Sequence, residues 1–234
     1  MINIRNKKAI FFDFGDTIAS TIPTYPDRIR IALIEAGNKF TEKQYFRAFQ
    51  YADYIIFKDY IDDKTISSSI YQKKLISIIL RELGINMEPE EAWNHIRLNL
   101  SKSEYKRILL PGAKKLLKDL NNSGFKLAVI SNNDGKTEEK CEQVGIAEYF
   151  ELIIDSTNVK IIKPDKNIFL LASRMLGIDT KDILHIGDLY GADIMGARNA
   201  GIDTIWINNK DGIDYEEIKV KQVKDLLELS EFIN

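Results

Sequence analysis

Four short stretches place polar side chains at or near the end of an apolar run: Asp13, Ser131, Lys163, and the pair Asp188 and Asp193. Each of these residues alone has an ordinary interpretation as a turn or helix-capping residue. Together, the carboxylates supply the hard oxygen ligands that a divalent cation prefers. The hydroxyl and the ammonium group can hold phosphate oxygens and neutralise their charge. The set therefore predicts a site for a divalent cation and a phosphate, if the fold brings the stretches together.

The apolar runs themselves are typical of strands that would bring these residues together. Ala9–Phe12 is too short for a helix and suits a fully buried strand. From residue 109 onward, similar runs alternate with amphipathic helical patterns. Parallel strands need such crossovers, and right-handed crossovers bring the carboxyl ends of all strands to one edge. We therefore predict an α/β fold, a doubly wound parallel sheet with the candidate residues at its carboxyl edge.

The segment between the first strand and the later series has a different pattern. Residues 27–101 show helical periodicity, capping signals and no convincing strand. We expect an all-helical domain inserted after the first strand and lying over the edge that carries Asp13. The predicted division is 1–18 and 108–234 for the sheet domain and 19–107 for the helical insert.

Composition excludes several classes of protein. The 234 residues are 44% hydrophobic and 29% charged, and the net charge is only -2, which argues against a dedicated nucleic-acid-binding or membrane-surface protein. No run approaches the ~18 apolar residues that a membrane span needs, and the N-terminus lacks the pattern of a signal peptide. The single cysteine, Cys141, excludes an intrachain disulfide. We expect a cytoplasmic protein.

The order and spacing of four motifs resemble those of the haloacid dehalogenase-like hydrolase superfamily. The motifs are DFGDT at Asp13–Thr17, VISNN at Val129–Asn133, KPDKNIF at Lys163–Phe169 and HIGDLYGADIMGARNAG at His185–Gly201. The helical insert between the first and second motifs is similar to the helical cap of that superfamily. The resemblance implies a Rossmann-like core and, commonly, magnesium-dependent hydrolysis of phosphate esters.

The resemblance also implies a role for each candidate residue near the metal. Asp13 would attack phosphorus and form an aspartyl-phosphate. Mg²⁺ would be bound by the carboxylate of Asp13, the backbone carbonyl of Gly15 and the carboxylate of Asp188. Asp193 would orient or complete this metal shell.

A second group of residues would hold the substrate. The resemblance implies that Ser131 and Lys163 bind the phosphoryl oxygens, and that Lys163 also restrains Asp13. Asn132, next to Ser131, is a further candidate substrate-binding residue. The implied partner is a small-molecule phosphate ester, whereas the sequence carries no signal for nucleic acid or membrane and none for an oligomeric state.

One position departs from the pattern of phosphatases in this superfamily. They usually carry a second aspartate two residues after the nucleophile, as general acid and then base, and this chain has Gly15 there. The nearest extra carboxylate is Asp16, which would face away from the site in an extended chain. Asp16 is a candidate acid/base only if a turn centred on Gly15 overturns that geometry, and we expect that it does not. The carbonyl of Gly15 is retained, so metal binding should survive. We therefore predict a phosphatase that is slow on alkyl phosphates and better with good leaving groups.

Two alternatives remain open at this stage. The missing carboxylate at Gly15 supports a non-catalytic or regulatory protein that has kept a phosphate-binding site. A metal-free 2-haloacid dehalogenase is more remote, because Asp188 in its Gly-Asp setting favours a metal. The predicted cap contains no motif that identifies a ligand, so the identity of the substrate is also open.

Overall fold

The computed structural model describes residues 4–62, 68–208 and 219–233. Its strands are β1 (Ala9–Phe12), β2 (Ala19–Ile22), β3 (Lys106–Leu109), β4 (Lys126–Ser131), β5 (Leu152–Asp155), β6 (Ile183–Gly187), β7 (Asp203–Ile207) and β8 (Lys221–Val223). Six of them form a parallel sheet in the order β5-β4-β1-β6-β7-β8. This order, with helices on both faces, confirms the predicted α/β fold.

β1 occupies the centre of the sheet, between β4 and β6. Ile10 and Phe12 pack into the hydrophobic core on one face, and Ala9 and Phe11 pack into the core on the other. Because successive side chains of a strand point to opposite faces, only an uninterrupted apolar run suits a strand covered on both sides. The strand order reverses at β1, and in such sheets the resulting crevice at the carboxyl ends is the usual position of a ligand.

The described helices are α1 (Tyr25–Glu35), α2 (Glu42–Asp62), α3 (Ser68–Glu82), α4 (Pro89–Lys102), α5 (Ala113–Asn122), α6 (Thr137–Gln143), α7 (Ser156–Val159), α8 (Lys166–Leu176), α9 (Gly196–Asn199) and α10 (Leu226–Ile233). A π-helical turn at Tyr190–Met195 precedes α9. Side chains of α5, α6 and α10 cover one face of the sheet, and those of α8 and α9 cover the other. Within the described residues, no helix has the length and apolar character to span a membrane.

Helices α1 to α4 form a bundle with a hydrophobic core of its own. Leu33 of α1, Tyr45 of α2, Ile79 of α3 and Ile96 of α4 are all buried in this core. The helices arise where the sequence predicts them, and the Thr41–Gln44 pair forms the expected capping box through reciprocal side-chain to backbone hydrogen bonds. Residues 63–67 of the predicted insert lie outside the described residues.

The description of the insert 19–107 as all-helical is wrong at its two ends. β2 and β3 pair there as an antiparallel ribbon, with Ala19 opposite Leu109 and Ile22 opposite Lys106. Each strand is four residues long, and its partner lies far away in the sequence, so neither segment has a local signal that separates it from a loop. The ribbon joins the bundle to the sheet, and the exact domain boundaries stay a prediction.

Candidate active site

The carboxyl edge of the sheet brings the predicted residues together. Asp13 directly follows β1, Ser131 is the last residue of β4, and Asp188 directly follows β6. These strands are neighbours in the sheet, so the three side chains start from adjacent positions. Lys163 reaches the same place from the loop before α8, and all four residues line one cavity.

Lys163 forms the centre of a buried charge cluster. Its Nζ donates a hydrogen bond to Oδ1 of Asp13 at 2.5 Å and another to Oδ1 of Asp193 at 2.6 Å. The Lys163 side chain is only 2% exposed. His185, which is fully buried in β6, also contacts Asp193 through Nε2 at 3.3 Å. The lysine therefore couples the residue after β1 to the π-helical turn after β6.

The two carboxylates of this cluster differ in their electrostatic environment. Burial raises the pKa of Asp13 to about 7, although Lys163 opposes the rise. Burial also works against the charges of Asp193 and Lys163, but contact with Lys163 and His185 holds the pKa of Asp193 at about 2. The carboxylates of Asp13 and Asp193 in turn raise the pKa of Lys163 above its ordinary value. Asp13 is thus the carboxylate whose negative charge gains most from an additional cation.

The geometry of the acidic residues suits a hard divalent cation. Carboxylate oxygens of Asp13, Asp188 and Asp193 lie within 4.8 Å of one another. Asp188 is positioned by Thr17, whose hydroxyl donates to its Oδ1 at 3.3 Å, and by Trp206, whose Nε1 donates to its backbone carbonyl at 2.9 Å. This all-oxygen donor set matches the preference of Mg²⁺.

Both carboxylate oxygens of Asp193 are engaged by the protein. One oxygen accepts from Lys163, and the other accepts from the backbone N–H of Leu189 at 3.0 Å. These bonds leave Asp13 and Asp188 as the better-placed direct ligands. A supporting role for Asp193 stays the prediction that fits this arrangement.

The loop after β4 carries the two other predicted contacts to substrate. Ser131 lines the cavity beside Asn133, whose amide approaches the Ser131 hydroxyl at 3.4 Å. Asn132 binds the backbone of Lys163 at both ends of its amide, with its Nδ2 donating to the carbonyl at 2.9 Å and its Oδ1 accepting from the N–H at 2.8 Å. Asn132 therefore holds Lys163 in place, and direct substrate binding by its side chain stays a prediction.

The backbone after Asp13 is not extended, as the sequence-based expectation for Asp16 had assumed, but forms a turn. Asp16 has a left-handed backbone conformation with φ of 56°, and its N–H donates to the carbonyl of Ala19 at 2.7 Å. The turn brings both Gly15 and Asp16 to the cavity wall. The carboxylate of Asp16 accepts a hydrogen bond from the hydroxyl of Ser20. Asp16 therefore lines the cavity, in contrast to the extended-chain expectation.

The cavity lies between the sheet domain and the helical bundle. Its volume is about 550 Å³, in the range of small-metabolite sites. The sheet side contributes the charged residues described above. The bundle side contributes mainly aromatic and polar groups, among them Tyr25, Phe49, Tyr71 and Gln72. The bundle thus forms the wall opposite Asp13.

Comparison with known proteins shows the family of the chain. Residues 7–201 match the model of the haloacid dehalogenase-like hydrolase family. The chain belongs to this family. One relative, the glyceraldehyde 3-phosphate phosphatase of Methanopyrus kandleri, is 28% identical to this chain over 94% of the chain and 97% of its own length.

Solved structures show the same haloacid dehalogenase-like fold over nearly the whole chain. The crystal structure of Bacillus subtilis YfnB bound to magnesium has a TM-score of 0.64 and 23% identity, and the match covers 97% of this chain and 99% of that one. A 2-haloacid dehalogenase from Pseudomonas syringae has a TM-score of 0.56 and 22% identity, with coverage of 96% and 97%. Proteins of different reported activities therefore share this fold, and the activity must be argued from the site.

Sequence reasoning missed one buried residue near this haloacid dehalogenase-like site. Asp53 of α2 is 2% exposed, and its carboxylate accepts hydrogen bonds from the N–H groups of Gly191 at 2.5 Å and Ala192 at 3.1 Å. A Cβ at Gly191 would lie 2.5 Å from the Asp53 carbonyl oxygen, so only glycine permits this approach. The bundle is thereby attached to the turn between Asp188 and Asp193. The sequence signal that could have identified Asp53 is a single acidic residue on an otherwise apolar face of a predicted helix.

This attachment leads to a prediction about the pH dependence of stability. Burial raises the pKa of Asp53 to about 7 from an ordinary value of 3.8. Between these values the folded state binds more protons than the unfolded state, so the contribution of Asp53 to stability falls as pH rises. We expect the free energy of unfolding of the wild type, relative to Asp53→Asn, to decrease by up to about 4 kcal/mol between pH 4 and 7.

Urea denaturation of both proteins at several pH values measures this difference. Asp59→Asn, on the same helix but with a half-exposed side chain paired to Lys74, is the matched control and should show no such trend. A difference between wild type and Asp53→Asn that stays constant or grows with pH would contradict the prediction.

Proposed function

We propose that this protein is a Mg²⁺-dependent phosphoric-monoester hydrolase that acts on a small phosphorylated metabolite through an aspartyl-phosphate on Asp13. The observation that carries the proposal is the position of Asp13. Its carboxylate lies at the carboxyl end of the central strand, contacts Lys163 at 2.5 Å and lies within 4.8 Å of the oxygens of Asp188 and Asp193. A nucleophile between a lysine and a set of carboxylates that fits a divalent cation suits attack on a dianionic phosphate.

The residues present fit a magnesium ion. Asp13 and Asp188 would supply carboxylate oxygens, Gly15 a backbone carbonyl oxygen, and Asp193 would orient the set. When bound, the ion would offset negative charge on the phosphoryl oxygens and on Asp13.

The proposed reaction has two displacements at phosphorus, the first by Asp13 and the second by water. An oxygen of Asp13 attacks phosphorus, the bond from phosphorus to the ester oxygen breaks, and the leaving oxygen takes up a proton. A water molecule then attacks the phosphorus of the aspartyl-phosphate, loses a proton, and releases inorganic phosphate and free Asp13. Lys163 keeps Asp13 oriented through both steps, and it donates hydrogen bonds to phosphoryl oxygens together with Ser131.

The substrate is proposed to be small because of the cavity and the relatives. A cavity of about 550 Å³ is in the range of sites for small molecules. The relative from Methanopyrus kandleri is named for a three-carbon phosphate ester. A cytoplasmic location and the absence of a nucleic-acid partner stay parts of this proposal.

The experiment that tests the proposal is phosphate release from p-nitrophenyl phosphate. We expect turnover with Mg²⁺, none after chelation of the metal, and a fall of at least ~10³-fold in Asp13→Asn because the nucleophile is lost. Asp119→Asn removes an exposed carboxylate of α5 that pairs with Lys115 and should leave turnover unchanged. Turnover that persists in Asp13→Asn would contradict the proposal.

One observation favours a second candidate function. Gly15 stands where related phosphatases usually carry their general acid, so the chain could bind phosphate without hydrolysing esters. Phosphate binding by calorimetry together with zero turnover of p-nitrophenyl phosphate would establish this alternative. The cluster of three carboxylates disfavours the metal-free dehalogenase, for which chloride release from a 2-haloacid without added metal is the test.

A further inference from the structure

Two arginines stand on the cavity wall formed by the bundle and the ribbon. Arg28 lies on α1 and Arg107 on β3, and both line the cavity that contains Asp13. Their guanidinium groups share the ring of Tyr105, with Arg28 Cζ 4.2 Å and Arg107 Cζ 5.9 Å from its centroid. Arg107 also lies over the ring of Phe14, at 5.8 Å. The pair is thus held by aromatic rings, which leave the N–H groups of the arginines available.

These arginines make few polar contacts with the part of the chain that the structure describes. The Nε atoms of both are buried without a hydrogen-bond partner. Arg28 has one long hydrogen bond, from Nη1 to the hydroxyl of Ser103 at 3.4 Å. For Arg107, the structure shows contacts with aromatic rings but no hydrogen bond or ion pair to any described residue. A buried donor without a partner costs free energy, so polar contacts with the described residues are not what holds these arginines in place.

The other cations of the cavity are neutralised by the protein. Lys163 contacts two carboxylates, and Lys140 contacts Asp134 at 2.6 Å. Asp16 acts electrostatically on Arg28 and partly offsets its charge. Burial and, to a smaller degree, the charge of Arg107 lower the pKa of Arg28, so the two guanidinium groups destabilise each other. Arg28 and Arg107 are the cavity-lining cations without an ion pair to a carboxylate among the described residues.

We propose that Arg107, assisted by Arg28, binds a second anionic group of the substrate, a carboxylate carried by the same short molecule as the phosphate. This inference rests on the proposed function and specifies its substrate class. A guanidinium presents a planar fork of donors that matches a carboxylate. Arg107 and Asp13 line the same cavity, so one small ligand can contact both. The substrate is therefore a small phosphate ester that also carries a carboxylate.

The test compares two esters with the same three-carbon skeleton. 3-Phosphoglycerate carries a carboxylate where glyceraldehyde 3-phosphate carries a neutral aldehyde. With Mg²⁺ and the full chain, the measured quantity is the ratio of kcat/KM for the anionic over the neutral ester. We expect a ratio above one in the wild type and a fall of about 10- to 100-fold in Arg107→Met, because a charge-assisted hydrogen bond is lost.

Two further variants sharpen the result. Arg107→Lys keeps the charge but loses the fork, so its ratio should lie between those of the wild type and Arg107→Met. Arg81→Met is the matched control, because Arg81 is an exposed arginine of α3 that pairs with Glu82 and does not line the cavity. Its ratio should equal that of the wild type. Circular dichroism and Tm establish that each variant is folded.

The outcomes separate this inference from the proposed function. A wild-type ratio of one or less, or an equal loss on both esters in Arg107→Met, overturns the inference while the phosphatase proposal stands. If the wild type hydrolyses neither ester nor p-nitrophenyl phosphate, the proposed function fails. The inference about the arginines is then tested by measuring ligand binding instead of turnover. Calorimetry on Asp13→Asn, with and without Arg107→Met, then compares 3-phosphoglycerate with glycerol 3-phosphate. A loss of affinity confined to 3-phosphoglycerate supports the inference, and an equal loss or none overturns it.

Discussion

Gly15→Asp is expected to raise the turnover of alkyl phosphates by about 10²- to 10⁴-fold, the usual contribution of a general acid and base. The structure can accept the new side chain. A Cβ at Gly15 would meet no atom within 4 Å, the residue is exposed in the cavity wall, and its φ is not in the left-handed region. The added carboxyl group would protonate the leaving oxygen of an alkyl ester, which is a poor leaving group without a proton. Steady-state phosphate release from glycerol 3-phosphate measures the effect.

Gly15→Asn is the matched control, because it has nearly the same shape as aspartate but cannot donate a carboxyl proton. It should leave alkyl-phosphate turnover near that of the wild type. p-Nitrophenyl phosphate should gain much less than glycerol 3-phosphate from Gly15→Asp, since its leaving group needs little protonation. Unchanged alkyl-phosphate turnover in Gly15→Asp would show that proton transfer does not limit this enzyme.

Asp16 provides a second discriminating experiment. The turn places Asp16 on the cavity wall, so it could already supply the missing proton. If it does, Asp16→Asn lowers wild-type turnover of glycerol 3-phosphate, and Gly15→Asp adds little. If the hydrogen bond from Ser20 merely holds Asp16 as a turn residue, Asp16→Asn has little effect on this ester and Gly15→Asp shows its full gain.

Lys163→Met is expected to lower the free energy of unfolding by about 3–5 kcal/mol and nearly abolish phosphatase activity. The substitution removes the cation between Asp13 and Asp193 and leaves two carboxylates buried without it, which is the costly way to break a buried ion pair. Activity is lost as well because Asp13 is no longer oriented and the phosphoryl charge loses a donor. Urea denaturation and p-nitrophenyl phosphate turnover measure the two effects.

Lys115→Met provides the control for this prediction. Lys115 also pairs with an aspartate, but its side chain is 76% exposed, so its removal should change stability by no more than about 0.5 kcal/mol. A stability loss below about 1 kcal/mol in Lys163→Met would mean that the buried carboxylates accept protons or water at little cost. Full activity in that variant would exclude Lys163 from the reaction.

The sequence by itself determined the sheet, its carboxyl edge and the family. The reason is that strand runs such as Ala9–Phe12 and the motifs at their ends are local patterns. A strand buried on both faces must be continuously apolar, and a residue directly after it must emerge at the edge. The sequence alone was therefore enough to predict that Asp13, Ser131 and Asp188 lie at the carboxyl edge of the sheet.

Only the tertiary structure decided how residues from distant segments act on one another. Three interactions join positions far apart in the chain: the hydrogen bond from Gly191 to Asp53, the pairing of β2 with β3 and the electrostatic effect of Arg107 on Arg28. None of these contacts has a local periodicity, because each depends on how the helical bundle packs against the sheet. The same holds for Asp16, whose direction follows from a left-handed turn, and the residue types around it do not reveal that turn.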